Sequence, residues 1–181
     1  MKLFFLTDIH GSVYYTKVAL ELFEKEKADY LIILGDELYH GPRNPLTKDY
    51  DPKEVAELLN GYSKKITAVR GNCDSEVDQM MLDYPLMSDY NIIFYNEKRI
   101  FVTHGHIYNK VNMPNITDGD VMIYGHTHIP LAEKKDGIYI LNPGSISLPK
   151  QDNPNSYAVL EDNLFEVKDL EMKTFKSIKL Y

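Results

Sequence analysis

Residues 2–36, KLFFLTDIHGSVYYTKVALELFEKEKADYLIILGD, contain two short apolar runs separated by an amphipathic segment. The runs at 3–6 and 31–34 are typical of buried β-strands, and each is followed within two residues by an aspartate. Between them, apolar side chains recur at helical spacing after Ser12, a residue type that caps helix N-termini. These side chains are Tyr15, Val18, Ala19, Leu22 and Phe23. The order strand, helix, strand predicts a βαβ unit with parallel strands.

The same alternation continues to about residue 75 and then stops. A second helix is predicted to begin near Pro52, and the run ITAVRGN at 66–72 predicts a third buried strand. After Asp89, short apolar runs separated by turn sequences such as YNEK, KKDG and EDN predict a strand-rich half with hairpins. In the last run, TFKSIKL, lysines alternate with apolar residues as in an edge strand. We therefore predict an α/β fold of two facing mixed β-sheets flanked by helices, in a single domain spanning residues 1–181.

The composition limits the setting and the partners. The chain has 181 residues, of which 44% are hydrophobic and 26% charged, as expected for one globular domain. No apolar stretch approaches the ~18 residues that a membrane span requires, and the run after Met1 is too short for a signal peptide. These features predict a cytoplasmic protein without membrane association. The formal net charge of −7 argues against a long nucleic acid as partner, whereas the edge strands and the aromatic second half are compatible with a homo-oligomer.

Residues that can bind metal ions stand at the ends of five predicted strands. The runs are FFLTDIHG, IILGD, TAVRGNCD, FVTHGH and MIYGHTH. In an α/β sheet the groups beyond the carboxyl ends of the strands meet in one crevice, so side chains distant in sequence are expected to form one site. The seven candidate ligands are Asp8, His10, Asp36, Asn72, His104, His126 and His128.

Seven ligands exceed the needs of one tetrahedral ion. If one carboxylate is shared, they suit two ions ~3.5–4 Å apart, an arrangement that holds the attacking and leaving oxygens of a phosphoryl displacement. Asp36, in the central Gly-Asp turn, is the predicted shared ligand. Each short motif alone is a weak signal, because Gly-Asp and Gly-Asn are common turn dipeptides. Their order and their position at strand ends make the joint signal strong.

Taken together, Asp8-Ile-His10, Gly35-Asp36, Gly71-Asn72, His104-Gly-His106 and Gly125-His126-Thr-His128 resemble the signature of the calcineurin-like metallophosphoesterases. The likeness extends from Met1 to about Asp162 and is strongest to small bacterial phosphodiesterases of that family. It implies one ion held by Asp8, His10, Asp36 and His128, and a second held by Asp36, Asn72, His104 and His126.

The resemblance also implies the reaction. A hydroxide bridging the two ions would hydrolyse small phosphodiesters, with phosphomonoesters or cyclic nucleotides as alternative substrates. By family resemblance the two ions are expected to be Mn²⁺, while the ligand chemistry also admits Zn²⁺, Fe²⁺ and Ni²⁺. Retromer-type scaffolds share this fold and bind proteins, so a non-catalytic role is a further alternative; such scaffolds tend to lose metal ligands, whereas all seven positions here hold competent residues.

Cys73 departs from the Gly-Asn-His-Asp tetrad of many family members, in which the histidine is thought to assist the leaving group. A thiol with an ordinary pKa of ~8.5 is a poorer proton donor than an imidazolium near neutral pH. Three interpretations of Cys73 are open: a small buried side chain, a pocket wall that leaves room for diesters, or a redox-sensitive thiol. We favour the first two, which predict better turnover of aryl than of alkyl diesters.

The loop HGPRNP after Asp36 holds two further candidates. His40 is predicted to replace the missing proton donor, and Arg43 to bind a phosphate oxygen through its guanidinium. The alternative is that this loop lies on the surface with His40 solvated. Asp74 is expected to orient Asn72 or a nearby residue, and Asn142 and Ser145 in NPGSISLPK to brace the metal-binding loops or to end a strand.

Overall fold

The computed structural model describes all 181 residues and has two stacked β-sheets with helices on one side. There are three α-helices, a short 3₁₀ turn at Ser63–Lys65 and eleven strands. In chain order the elements are β1 Leu3–Leu6, α1 Val13–Lys25, β2 Tyr30–Ile33, α2 Pro52–Asn60, β3 Ile66–Ala68, α3 Glu76–Met81, β4 Tyr90–Tyr95, β5 Lys98–Thr103, β6 Val121–Tyr124, β7 Leu131–Lys135, β8 Ile138–Asn142, β9 Ser156–Glu161, β10 Leu164–Asp169 and β11 Thr174–Lys179.

The first sheet has the strand order β11-β10-β9-β1-β2-β3. β1, β2 and β3 run parallel, and β9 joins the free side of β1 in antiparallel register. The predicted βαβ unit is therefore confirmed. Ser12 caps α1, because its hydroxyl accepts a hydrogen bond from the Tyr15 N–H, and Asp51 caps α2 in the same way.

Alternate residues of β1 serve two different cores. Phe4 and Leu6 pack against α1 and α2, whereas Leu3 and Phe5 point the other way into the space between the sheets. The run is apolar on both faces because both faces are covered. The β1 strand therefore ties the helical layer to the second sheet, and the predicted fold of two facing mixed sheets is confirmed.

The second sheet has the order β4-β5-β6-β8-β7 and contains two of the predicted hairpins. No helix covers its outer face. Instead, side chains from the loop 105–119, among them Tyr108 and Met113, pack against Phe101 and Tyr124. The terminal run forms the edge strand β11, as its alternating lysines predict.

The loops that follow β1, β2, β3, β5 and β6 meet at one end of the two sheets, where backbone hydrogen bonds join them. The Asp8 N–H donates to Gly35, the His10 N–H to Asp36, and the Gly125 N–H to His104. None of the helices is long and apolar enough to cross a membrane.

Candidate metal centre

The candidate ligands leave their strands in an unusual backbone conformation. Five of the seven have positive φ angles: Asp8 (57°), His10 (50°), Asp36 (57°), His126 (63°) and His128 (60°). A residue other than glycine is seldom found there, and such conformations persist only where the surroundings fix them. The polypeptide turns sharply at each strand end, and this turn directs the ligand side chains towards a common point.

Two buried carboxylates form the centre of the site, and each has one oxygen tied and one directed inward. Asp8 Oδ2 accepts hydrogen bonds from the Thr7 hydroxyl (2.9 Å) and the His126 N–H (3.1 Å). Asp36 Oδ1 accepts one from the Cys73 N–H (2.8 Å). The remaining oxygens, Asp8 Oδ1 and Asp36 Oδ2, are left to face the histidines.

Backbone carbonyls orient three of the four histidine rings. In each, Nδ1 lies within hydrogen-bond distance of a carbonyl oxygen, and the pairs are His10 with Tyr39 (3.0 Å), His104 with Leu34 (2.7 Å) and His128 with Leu148 (2.5 Å). A neutral imidazole that donates from Nδ1 presents its lone pair at Nε2. This is the arrangement that fixes a histidine as a metal ligand.

The inward atoms fall into two groups that share Asp36. Asp8 Oδ1 lies 3.8 Å from His10 Nε2 and 3.3 Å from His128 Nε2. Asp36 Oδ2 lies 3.6 Å from His10 Nε2 and 3.3 Å from His104 Nε2. Asp36 thus stands between the groups.

The second group is completed around His104. Its Nε2 is 3.1 Å from both the Asn72 amide oxygen and His126 Nδ1. All seven residues named from the sequence are therefore brought to one place.

The donor set fits divalent cations. Asp8 Oδ1 and His10 Nε2 are buried and have no hydrogen-bond partner, although buried polar atoms are normally satisfied. Imidazole nitrogens with carboxylate and amide oxygens suit zinc and the neighbouring transition metals. A cation between these atoms would satisfy both, and the calcineurin-like signature implies such ions.

The electrostatics agree with a cation site. Burial by itself would raise the pKa of Asp36, but the His104 and His10 rings outweigh it and lower that pKa. Burial would lower the pKa of His104, yet Asp36 and Asp8 raise it to about 9. The pKa of His126 falls to about 4, because the ring is desolvated and lies beside His104. Since metal ligands must be deprotonated, binding at His104 is expected to release a proton.

Asp74 joins two of the ligand loops. Its carboxylate, which is 8% exposed, accepts backbone hydrogen bonds from Asp36 (2.8 Å), Glu37 (2.9 Å) and Gly71 (2.7 Å). It makes no hydrogen bond to the Asn72 side chain, so of the two predicted alternatives the contacts favour the orientation of nearby residues. Asp74 instead fixes the backbone turns from which Asp36 and Asn72 project.

The segment NPGSISLPK supports the first ligand from the opposite side. The hydroxyls of Ser145 (3.2 Å) and Ser147 (2.7 Å) donate to the Asp8 carbonyl oxygen. The Asn142 amide donates to the carbonyl oxygen of Gly125 (2.8 Å), next to His126. The bracing interpretation of Asn142 and Ser145 agrees with these contacts. Thr7 and Ser147 were not singled out in the sequence, because a hydroxyl beside a ligand has no spacing signal of its own.

A polar cavity of about 350 Å³ opens above the ligands. It is lined by Asp36, Gly41, Pro42, Arg43, Asn44, Asn72, Cys73, His126, His128 and Lys150. Arg43 lies at the cavity wall, and its contact with a phosphate oxygen stays a prediction. Lys150 was missed, because one lysine in a loop carries no signal until the fold brings it beside His128. The His40 ring does not line the cavity; its Nδ1 is 3.3 Å from the Tyr50 hydroxyl.

Cys73 forms part of the cavity wall and is partly exposed. Its interpretation as a small buried side chain is wrong, because the residue is only half-buried, while its interpretation as a pocket wall agrees with this position. Burial and the carboxylates of Asp36, Asp74 and Asp8 raise the pKa of Cys73 to about 12. The thiol also lies close enough to His10 and Asp36 to be a further potential donor to a cation. Bound cations would oppose the effect of the carboxylates.

Comparison with known proteins agrees with this geometry. Residues 1–163 match the calcineurin-like phosphoesterase superfamily domain. The chain belongs to that superfamily. Phosphodiesterase YfcE of Escherichia coli K12 is 49% identical over 167 residues, which cover 92% of this chain and 91% of that protein.

Two solved structures show the same architecture. The structure of the E. coli phosphoesterase YfcE superposes with a TM-score of 0.98 at 45% identity and covers all of both chains. Vacuolar protein sorting 29 from Cryptosporidium parvum superposes with a TM-score of 0.64 at 22% identity, over 98% of this chain and 97% of its own. At that identity the second likeness concerns the fold alone.

We expect Asp74→Asn to weaken Mn²⁺ binding by ~10–100-fold, because an amide NH₂ replaces one acceptor oxygen that faces backbone N–H groups. Isothermal titration calorimetry on metal-free protein measures the change. Asp29→Asn is the matched control: Asp29 also accepts a backbone hydrogen bond, from the Lys2 N–H (2.7 Å), but at the opposite end of β1 from the ligands. Equal affinities in the two variants would show that Asp74 does not position the ligands.

Proposed function

We propose that this metallophosphoesterase hydrolyses small phosphodiesters with two divalent metal ions. The observation that carries the proposal is the pair of donor groups that share the buried Asp36 at the floor of a polar cavity. One ion would be held by Asp8, His10, Asp36 and His128, and the other by Asp36, Asn72, His104 and His126.

The chain's own residues would bind and orient, while water is the nucleophile. When bound, two such ions lower the pKa of a water molecule so that it can attack phosphorus, and they neutralise charge on the phosphate. The tied histidines and carboxylates hold the ligand atoms in place before any ion arrives, so little reorganisation is needed. No side chain needs to form a covalent bond to phosphorus.

The cavity supports a small anionic substrate. Seven of its ten lining residues have polar or charged side chains, and among these Arg43 and Lys150 supply positive charge to it. A guanidinium binds two phosphate oxygens at once, whereas an ammonium acts as a point charge. Arg43 is therefore proposed to bind an oxygen of the phosphodiester. A net charge of −7 continues to argue against a long polyanion.

Cys73 in place of histidine leaves the leaving group without an obvious proton donor in the cavity. His40, on the adjoining loop, is the proposed replacement, although its ring is directed to Tyr50. With weak proton donation, turnover would depend on how well the leaving group bears negative charge. Aryl diesters, which expel a stabilised phenolate, are the substrates that suit this site best.

The choice of metal rests on family resemblance and on ligand chemistry. By resemblance we propose Mn²⁺ as the native metal, and the same donors also admit Zn²⁺, Fe²⁺ and Ni²⁺. Action on phosphomonoesters or cyclic nucleotides would use the same site and differ only in the fit of the second substituent. Cytoplasmic localisation stays a prediction.

We expect metal-stripped protein to be inactive on an aryl phosphodiester and Mn²⁺ to restore hydrolysis. His126→Ala should then lower kcat/KM by at least ~100-fold, because one ion loses a ligand. A spectrophotometric assay with diester and matching monoester measures both, and thermal unfolding confirms that the variant is folded. Absence of turnover with every metal, in folded protein that binds the ions, would contradict the proposal.

Cys73→His is expected to reduce diester turnover relative to monoester turnover by ~10-fold, because the larger ring occupies space that the second substituent needs. The Cys73 side chain lies close to Gly41: a Cβ added to Gly41 would be 2.9 Å from Cys73 Sγ. An imidazole at position 73 therefore has to enter the cavity or displace the loop. Cys73→Ser, which conserves size, is the control. An unchanged ratio of kcat/KM values in Cys73→His would show that this side chain does not set specificity.

The two loop candidates can be separated by their kinetic signatures. Arg43→Ala should raise KM ~10-fold, and Arg43→Lys should recover part of the loss, because charge returns without bidentate geometry.

If His40 donates the proton, His40→Ala should slow the hydrolysis of alkyl diesters more than that of aryl diesters and alter the pH–rate profile. Identical profiles for wild type and His40→Ala would remove His40 from the mechanism.

A further inference from the structure

Lys150 lies in a turn that is hydrogen-bonded to the candidate ligand His128. The Lys150 N–H donates to the His128 carbonyl oxygen (3.2 Å), and the Leu148 carbonyl oxygen lies 2.5 Å from Nδ1 of the His128 ring. On the other side, the Asn153 side-chain amide donates to the Lys150 carbonyl oxygen (2.7 Å). Because these contacts hold the backbone around Lys150, its side chain begins at a fixed position beside the candidate metal centre.

The two cations that line the cavity are not engaged elsewhere in the chain. The other two arginines, Arg70 and Arg99, each contact an aspartate at 2.6 Å, whereas Arg43 has no ion-pair partner. Lys150 has no such partner either, and it is exposed. A cleft lined by cations that are free of carboxylates attracts anionic ligands and leaves the cations available to bind them.

The charges at the floor of the cavity would balance without these two cations. Asp8 and Asp36 are the only acids among the residues that would hold the ions or that line the cavity. Two divalent ions, a bridging hydroxide and a singly charged phosphodiester would together cancel the charge of these carboxylates. The positive charge of Arg43 and Lys150 therefore exceeds what a simple diester needs. It matches the charge of a phosphomonoester group, which is about −1.5 to −2 at neutral pH.

The direction of attack gives the two substituents of a diester different places. In an in-line displacement the leaving group departs opposite the nucleophile. Water activated at the floor would therefore expel the leaving group towards the cavity opening, while the other substituent lies along the wall. Lys150 belongs to this wall, because its backbone is hydrogen-bonded to the floor residue His128.

We propose that Lys150 binds a second phosphate group, carried by the substituent that stays on phosphorus after hydrolysis. This inference rests on the proposed function and narrows its substrate class to short phosphodiesters that bear one further phosphomonoester. A lysine ammonium is a compact charge that commonly binds phosphate. The cavity of about 350 Å³ is in the size range of small-molecule sites, and the net charge of −7 disfavours a longer polyanion.

Two chromogenic diesters that differ by one phosphate test the proposal. They are the p-nitrophenyl ester of thymidine 5′-phosphate and the same ester with a phosphate on the 3′ oxygen. With Mn²⁺-loaded wild type, kcat/KM should be ~10-fold higher for the 3′-phosphorylated diester, and this preference should fall as ionic strength rises. Lys150→Ala should abolish the preference, Lys150→Glu should reverse it, and Lys150→Arg should keep most of it.

Lys110→Ala is the matched control. It removes the same charge from an exposed residue of the loop 105–119 that does not line the cavity, so the wild-type preference should be unchanged. Thermal unfolding confirms that the variants are folded. Equal kcat/KM values for the two diesters in wild type would overturn the proposal, and so would a preference that survives in Lys150→Ala or disappears equally in Lys110→Ala. In each case continued hydrolysis of the singly charged diester would leave the phosphodiesterase function intact.

Calorimetry tests the same subsite without turnover. Thymidine 3′,5′-bisphosphate should bind Mn²⁺-loaded wild type ~10-fold more tightly than thymidine 5′-phosphate, and the difference should vanish in Lys150→Ala. This measurement decides the role of Lys150 even if the protein hydrolyses neither diester, so a failure of the proposed function is distinguished from a failure of this inference. Equal affinities of wild type for the two nucleotides would overturn it.

Discussion

Two buried carboxylates, Asp8 and Asp36, are the constraint on which the rest of this structure depends. Both are essentially inaccessible to water, and an ionised carboxylate in the interior is costly unless it is paired and hydrogen-bonded. In each carboxylate one oxygen accepts a backbone hydrogen bond, and the other oxygen faces imidazole rings. Such a cluster holds its charge best when divalent cations lie among the ligands. The same contacts therefore position the metal ligands and stabilise the strand ends.

The local backbone carries the strain that this arrangement requires. Positive φ angles at Asp8, Asp36 and His126 are uncommon for residues with a side chain, and the hydrogen-bonded sandwich around them fixes the turns. Gly71 shows how closely the loops approach. A Cβ at that position would be 2.0 Å from Asp36 Oδ1, so no other residue fits without moving a ligand.

The rim of the cavity is built on a different principle from its floor. Asp8, His10, Asp36, His104 and His128 at the floor are buried, His126 is half-buried and Asn72 exposed, whereas Arg43 and Lys150 at the rim are exposed and long. A fixed floor suits a reaction common to many relatives, and an adaptable rim suits differences in substrate. Cys73 shares features of both: its backbone N–H donates a hydrogen bond to Asp36, and its thiol faces the cavity. Vacuolar protein sorting 29 from Cryptosporidium parvum has the same sandwich fold, although its sequence is only 22% identical.

The sequence by itself determined the βαβ start, the two-sheet sandwich and the seven residues at the site, because strand ends and the residue after them are local features. It could not decide the strand order, in which β9 lies beside β1 although they are far apart in the chain. It also could not identify Lys150 as a cavity residue, nor Asp74 as the link between two turns. Only the tertiary structure decided these points, because periodicity shows which side chains of an element are buried but not which distant segment packs beside it.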